Sequence, residues 1–359
     1  MLETIRSILA YVFALGILVF IHELGHYLAA RSQGVAVEVF SIGFGPALLS
    51  WKAKSGTLWK ISVLPLGGYV KMQGWGETNN AAPALPGSFS ALSLRSKALI
   101  VVAGPVANIA LAFVLYCALF MTVGQSVVQP VFSAVASGSP AAQAGMQTGD
   151  RVLSVGTTKI SDFEQLQNII VAHPDATMTF TLDRDGHVIS MPVALGDVAV
   201  NGRKIGHLGV AGNSSIEHYS PPGAVAAAAH ATWSAAAGIL VGIYNLAVHR
   251  QGLSDLAGPL GIAEITSKVA AMGVVSLINL IALLSINLGL VNLIPIPVLD
   301  GGHLLFYGAE ALYGRPIPGR AQDIGLRFGM AIILSLFFLT TFNDLTRLGA
   351  VNWVVHLFG

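Results

Sequence analysis

His22, Glu23 and His26 form the pattern H-E-x-x-H, and they do so inside an apolar run. On a helix, residues four apart share a face, so the two imidazoles project side by side about one turn apart. That spacing suits two of the three protein ligands of a catalytic zinc ion, whose fourth position stays open for water. Glu23, beside the first histidine, is the natural base for that water. The same pattern also arises by chance and in soluble metalloproteases. Its setting separates the cases. From Ile8 to Ala30 the only other titratable groups are Tyr11 and Tyr27. An ionisable cluster at bilayer depth is expensive and marks a functional site by default.

The elements that must hold this motif are membrane elements. The 359-residue chain is 54% hydrophobic and only 10% charged, which puts it in the membrane class. A net charge of +1 without basic runs argues against nucleic acid as a partner. The single cysteine, Cys117, cannot form an internal disulfide and reads as a small buried hydrophobe. Spans are predicted at 1–33, 98–124, 273–303 and 324–346, giving four transmembrane helices in a polytopic α-helical protein. The first carries the chemistry, so it is expected to be kept rather than cleaved as a signal. Between the first two spans, Arg31, Lys52, Lys54, Lys60, Lys71, Arg95 and Lys97 face only Glu38 and Glu77. That excess makes the 34–97 loop cytoplasmic, as Arg315 and Arg320 do for 304–323. The N-terminus and the 347–359 tail are then extracytoplasmic.

Within 34–97, Phe40–Pro46 and Trp59–Met72 are apolar but broken by Gly and Pro, so they are not helices. Trp59, Ile61 and Val63 alternate with Lys60 and Ser62, a strand signal. Such strands make an ordinary hairpin, or an edge near the membrane that holds an unwound chain by β-addition; both readings stand. Asn79–Pro86 is a polar, Pro-rich linker. In the second span, Gly104-Pro105-Val106-Ala107-Asn108 reads as a close helix contact with a polar tether.

Charges return at 125–213, which reads as a small soluble α+β domain. Strands are expected near 131–136 and 149–155, with a turn and short helix at Ser139–Gly145. Ser161–Glu164 is a capping box opening a helix to about Ala172. A hairpin turns about Asp185-Gly186, and Gly206–Val210 closes the unit. Residues 223–248, inside the 214–272 region, are apolar enough to resemble a span.

Asp300, at the end of the third span, is the best candidate for a third zinc ligand. To meet the histidines it must lie at their depth, so the third span must run parallel to the first. A span within 223–248 would break that parity, so an interfacial helix is predicted there. Pro295 and Pro297 break the helix ahead of Asp300 and free polar backbone where the site needs it. Asp300 also reads as a helix-end residue at the water interface; the upstream motif favours the ligand. His303 fits a supporting role, since three ligands already leave the open position.

These pieces together resemble the site-2 proteases, the intramembrane zinc metalloproteases. The chain is most similar to the branch of the bacterial regulator of sigma-E protease. The matching stretches are His22–His26, Phe44-Gly45-Pro46, Gly67-Gly68-Tyr69-Val70-Lys71, Gly104–Asn108, Asn292 through Asp300-Gly301-Gly302-His303, and Phe342-Asn343-Asp344. The resemblance implies one zinc ion on His22, His26 and Asp300, with Glu23 as the acid/base. It implies a membrane-dipping β element carrying Trp59, Ile61, Gly67, Gly68 and Tyr69, and it suggests that Asn292 contacts substrate or its oxyanion. The soluble domain looks like a single circularly permuted PDZ domain, with Gly206, His207, Leu208, Gly209 and Val210 as its carboxylate-binding loop. Related enterobacterial proteins carry two such domains; 125–213 has room for one. The implied substrate is a single-pass membrane protein of the anti-sigma factor type, cut in the inner membrane during an envelope stress response. The rival reading is a PDZ-based membrane chaperone or scaffold without proteolysis.

Overall fold

From Leu2 to Ser32 the chain has no proline and forms one helix, α1 (Leu2–Ser32). Its 31 residues extend about 46 Å at ~1.5 Å per residue, more than a bilayer's hydrocarbon thickness. The computed structural model describes residues 2–75, 85–200, 203–249 and 256–348. Most of the expected linker, 79–84, and the tail from 349 onward lie outside the described residues. Contacts divide the chain into two units, Met1–Ala118 with Pro222–Gly359, and Leu119–Pro221.

After α1 come two long strands, β1 (Val37–Lys52) and β2 (Leu58–Met72), paired antiparallel. They are longer than the alternation at Trp59–Val63 suggests. β1 absorbs Gly45-Pro46 and β2 absorbs Pro65 and Gly67, and the register shifts around these points. Proline and glycine inside a strand mark bends and bulges rather than regular ladder. The bends fold two strands into four paired segments. Phe40 faces both Val70 and Trp59, and Trp59 also faces Trp51. The 68–72 segment therefore lies at an edge, paired with 37–42. Phe40 stacks on Trp59 at 4.2 Å and Tyr27 meets both rings, anchoring the hairpin to α1. The far half leaves Leu48, Leu49, Trp51, Val63 and Leu64 exposed. Helix α2 (Leu94–Thr122) follows, with Pro105 inside it.

The second unit folds from β3 (Gln125–Val135), α3 (Pro140–Gln143), β4 (Arg151–Val155), β5 (Thr158–Lys159), α4 (Phe163–Ala172), β6 (Thr177–Arg184), β7 (His187–Ala194), β8 (Gly196–Val200), β9 (Arg203–His207) and β10 (Val210–Glu217). A six-stranded sheet runs β10-β3-β4-β6-β7, with β5 on β4, and β8 pairs with β9. Phe132, Val152, Leu166, Phe180, Leu182 and Val193 form its core, each contributing about 1.5–3 kcal/mol of burial. The β6–β7 hairpin turns at Asp185 and Gly186, both with positive φ (53° and 84°), as the Asp-Gly pair predicts. The cap of α4 differs from expectation by one residue. Asp162 is the N-cap, accepting from the Gln165 N–H at 2.8 Å, and Gln165 Oε1 reaches back to the Ser161 N–H. Either Ser161 or Asp162 could cap; the carboxylate takes the stronger charge-assisted bond at a helix N-terminus.

The remaining helices are α5 (Pro221–His249), α6 (Pro259–Ala271), α7 (Val274–Asn292), α8 (Asp300–Tyr313) and α9 (Gly319–Arg347). Among the described residues, five helices are long and apolar enough to cross a membrane: α1, α2, α5, α7 and α9. This is the make-up of a multi-pass membrane protein. Four were expected; α5 also qualifies by length and composition. The expected loop at 304–323 is helical through Tyr313, because Asp300 opens α8 and no proline follows before Pro316; Gly314, with φ +68°, ends the helix.

Candidate metal centre

Helix spacing places the first two groups. His22 and His26 project from one face of α1, with Nε2 atoms 3.2 Å apart. Both are buried, at 9% and 8% exposed. The third group comes from 274 residues further on (300 − 26). Asp300 sits in the first turn of α8, and its Oδ2 lies 3.2 Å from Nε2 of His22 and 3.5 Å from Nε2 of His26. Donor atoms on a tetrahedral zinc with ~2.0–2.1 Å bonds stand about 3.3–3.4 Å apart. The observed triangle has that size. Asp300 Oδ2 is buried and has no hydrogen-bond partner despite these short distances. Its lone pairs are left for something between the rings, and a cation fits that donor set.

The backbone is arranged to deliver these groups. Gly25 of α1 lies against the Ala103 carbonyl and Ala107 of α2, and Gly104 of α2 lies against the imidazole of His26. A side chain at either glycine would overlap its neighbour, so the two helices cross as closely as backbones allow. His26 Nδ1 is 2.8 Å from the Ile100 carbonyl. A carbonyl only accepts, so Nδ1 carries the proton and Nε2 presents a lone pair. Ahead of Asp300, α7 stops at Asn292, and Val298 adopts φ 133°. A β-branched residue there is strained, and such strain collects at functional sites.

These residues open on a cavity of about 560 Å³ whose lining includes His22, Glu23, His26, Asn292, Asp300 and His303. Gly67, Gly68 and Tyr69 from the β2 edge line it too, whereas Trp59 and Ile61 do not. Trp59 belongs instead to the aromatic anchor against Phe40, Trp51 and Tyr27. Ile61 pairs inside the sheet with Ile42 and Leu49. Asn292 Nδ2 stands 3.5 Å from Nε2 of His22. His303 packs its ring against Trp75 at 5.3 Å and is not in the ligand cluster. Phe44, Trp75 and Val298 complete parts of the wall; Phe44 and Val298 fall within stretches that carry the resemblance, but none of the three is marked as a site residue by sequence. Of these, Phe44 and Val298 lie beside the glycine and proline breaks, the one local sign that they turn toward the site.

In the second unit, Gly206 and His207 belong to β9, and Val210 opens β10. Only Leu208 and Gly209 form a loop between them. Leu208 is buried in the core, and its carbonyl accepts from the Ala141 N–H.

Residues 10–336 match the profile of peptidase family M50. The chain is 38% identical over 368 residues to a protein of Rhizobium meliloti (strain 1021) named as a zinc metalloprotease, covering 97% of each. It is 34% identical over 359 residues to a similarly named protein of Rickettsia conorii, covering 95% of this chain and 99% of the other. To metalloprotease MmpA of Caulobacter vibrioides it is 32% identical over 401 residues, covering 100% of both.

Proposed function

The chain belongs to peptidase family M50 and is a zinc metalloprotease; on that premise we propose that it performs site-2 cleavage of single-span proteins within the membrane. The observation that carries the proposal is the triangle of two Nε2 atoms and one orphaned carboxylate oxygen beside Glu23, on a cavity shared with a strand edge. His22, His26 and Asp300 are the three ligands. Zinc held there supplies Lewis acidity to a peptide carbonyl and to water. Glu23 takes the proton from the attacking water and returns it to the leaving amine. Asn292, whose amide reaches the same corner of the cavity, donates to the oxygen that becomes negative.

A transmembrane substrate hides its peptide groups inside a helix, so it must unwind before it is cut. The 68–72 edge offers backbone partners for the unwound stretch, by β-addition. The exposed apolar far half of the hairpin suits contact with lipid. Trp59 and Ile61 then support this edge from behind rather than touching substrate.

The four-span topology is supported by the direction of α7. Ala14 and Leu18 cluster with Ile281, and His22 meets Asn292, so α1 and α7 run parallel. Parallel packing needs an even number of crossings between α2 and α7. The 13 residues of α6 reach only about 20 Å, short of the ~30 Å core. If α6 does not cross, α5 cannot cross either, and it lies along the surface. The basic 34–97 loop is then cytoplasmic, and both termini and the 125–213 domain lie outside the inner membrane.

That domain acts as a single PDZ module. β10 pairs with β3 on one side only, leaving an edge for a partner strand beside the Leu208-Gly209 loop. The substrate class is a membrane-anchored anti-sigma factor already trimmed outside, in an envelope stress response. Glu23→Gln tests the enzyme against a scaffold that only binds. Cleavage of a single-span reporter should vanish while zinc content and peptide binding persist. Surviving cleavage would refute the role given to Glu23.

A further inference from the structure

Asn108 is a buried polar side chain beside the histidines that the mechanism above leaves unused. It is 0% exposed, and its Nδ2 lies 3.4 Å from Nδ1 of His22. Its Oδ1 is buried without a hydrogen-bond partner. A buried amide oxygen left in that state costs stability and calls for an explanation. The backbone around it is pinned, since Ser285 of α7 donates to the Asn108 carbonyl at 2.7 Å. The terminal amide is the part that can still change its partner.

Which end of that amide suits the ring depends on the imidazole tautomer. His26 shows the pattern: Nδ1–H donates to the Ile100 carbonyl and Nε2 is left for the ligand position. His22 needs the same tautomer to offer its Nε2. Its Nδ1–H then requires an acceptor, and the group facing it is the Asn108 amide. A half-turn of that amide exchanges nitrogen for oxygen with almost no change of shape. It brings Oδ1 to Nδ1 and gives the orphaned atom its partner in the same step.

We propose that Asn108 is the positioning residue of His22. Its Oδ1 accepts the Nδ1–H and holds the ring with Nε2 turned toward His26 and Asp300. The proposal rests on the reading of His22 as a zinc ligand. It also accounts for the spacing on α2. Asn108 and Gly104 are four apart, as are His26 and His22 on α1. Asn108 meets His22 while Gly104 meets His26. One face of α2 therefore serves both rings, with a hydrogen bond at one and clearance at the other. A polar group that orients a metal-bound imidazole in this way raises ligand basicity and metal affinity.

The test compares full-length protein with Asn108→Leu, Asn108→Asp and His22→Ala in detergent. Zinc affinity is read by competition with a chromophoric chelator, and the His22 tautomer by nitrogen-15 NMR of the zinc-loaded protein. Leu matches Asn in size but accepts nothing; Asp keeps an acceptor. Asn108→Leu is expected to weaken zinc binding about 10–100-fold and to lose the slowly exchanging Nδ1 proton. Asn108→Asp is expected to bind zinc at least as tightly as the parent. If Leu and Asp both bind like the parent while His22→Ala does not, Asn108 has no positioning role. If Leu and Asp weaken binding equally, its role is packing and the proposal fails. If His22→Ala binds zinc like the parent, the ligand reading itself fails and takes the proposal with it.

Discussion

Gly104→Ala adds one methyl group where the structure has no room for it. The new Cβ would overlap Nε2 of His26 and stand 2.5 Å from Cε1 and 2.9 Å from Cδ2 of the same ring. Carbon atoms rest at about 3.5 Å or more, so the ring must retreat by about 1 Å. It has little freedom to do so, because Nδ1 is tied to the Ile100 carbonyl at 2.8 Å. Zinc sites tolerate shifts of about 0.2 Å, and a 1 Å misplacement at a reacting centre costs about 100-fold. That factor corresponds to about 2.7 kcal/mol. Helix propensity pulls the other way, since Gly→Ala inside a helix stabilises by about 1 kcal/mol. The two effects separate by assay. Zinc affinity and reporter cleavage should fall about 100-fold, while the zinc-free protein, in which overpacking of about 1–3 kcal/mol is partly offset by helix propensity, unfolds within a few degrees of the parent. Gly16→Ala is the control, because nothing lies within 4 Å of a Cβ there. Zinc affinity within threefold of the parent in Gly104→Ala would refute the argument that helix clearance positions His26.

Two further predictions concern the supports of the fold. Asp344 of α9 is 1% exposed and accepts from the Gly258 and Gly261 N–H groups at 3.2 and 2.8 Å, at the start of α6. Asp344→Ala strands both donors and should destabilise that junction by about 3 kcal/mol; hydrogen exchange would show faster opening of α6, and unchanged α6 protection would count against it. In the second unit, Asp150 is fully buried and holds Arg184 through two bonds of 2.7 Å. Burial pushes its carboxyl pKa up, but the Arg184 hydrogen bonds and charge and the Gln147 N–H outweigh burial and leave it below the usual range. A depressed carboxylate stabilises the fold above its unfolded pKa of about 3.9, and that contribution drains away as pH falls through the folded value. Arg184→Ala leaves the carboxylate buried and unpaired, so at pH 7 it should cost about 3–5 kcal/mol, seen as faster exchange in β4 and β6. The deficit against the parent should shrink toward pH 3; a constant deficit would show that the pair's charge is not the cause.

How far each feature could be read ahead of the structure follows from the physics that sets it. His22 and His26 were legible because a helix fixes the face of residues four apart. Asp300 was legible only jointly with them: a lone aspartate after Pro295 and Pro297 has an ordinary interfacial explanation, and it took a second cluster at the same depth to choose. The β2 residues divide where local rules stop. Alternation at Trp59–Val63 announces a strand, but the edge that reaches the cavity is set by bends at Gly45-Pro46 and at Pro65 and Gly67. Trp59 and Ile61 therefore carry the clear signal and lie behind the site, while Gly67, Gly68 and Tyr69 carry a broken one and line it. Asn108 reads from sequence as a tether between helices, because nothing local marks His22 as its neighbour on α1. The α5 helix marks the same boundary from the other side. Its length and apolarity are those of a span, and the argument against its crossing comes from the parallel direction of α1 and α7, a relation among distant elements that no window of sequence contains.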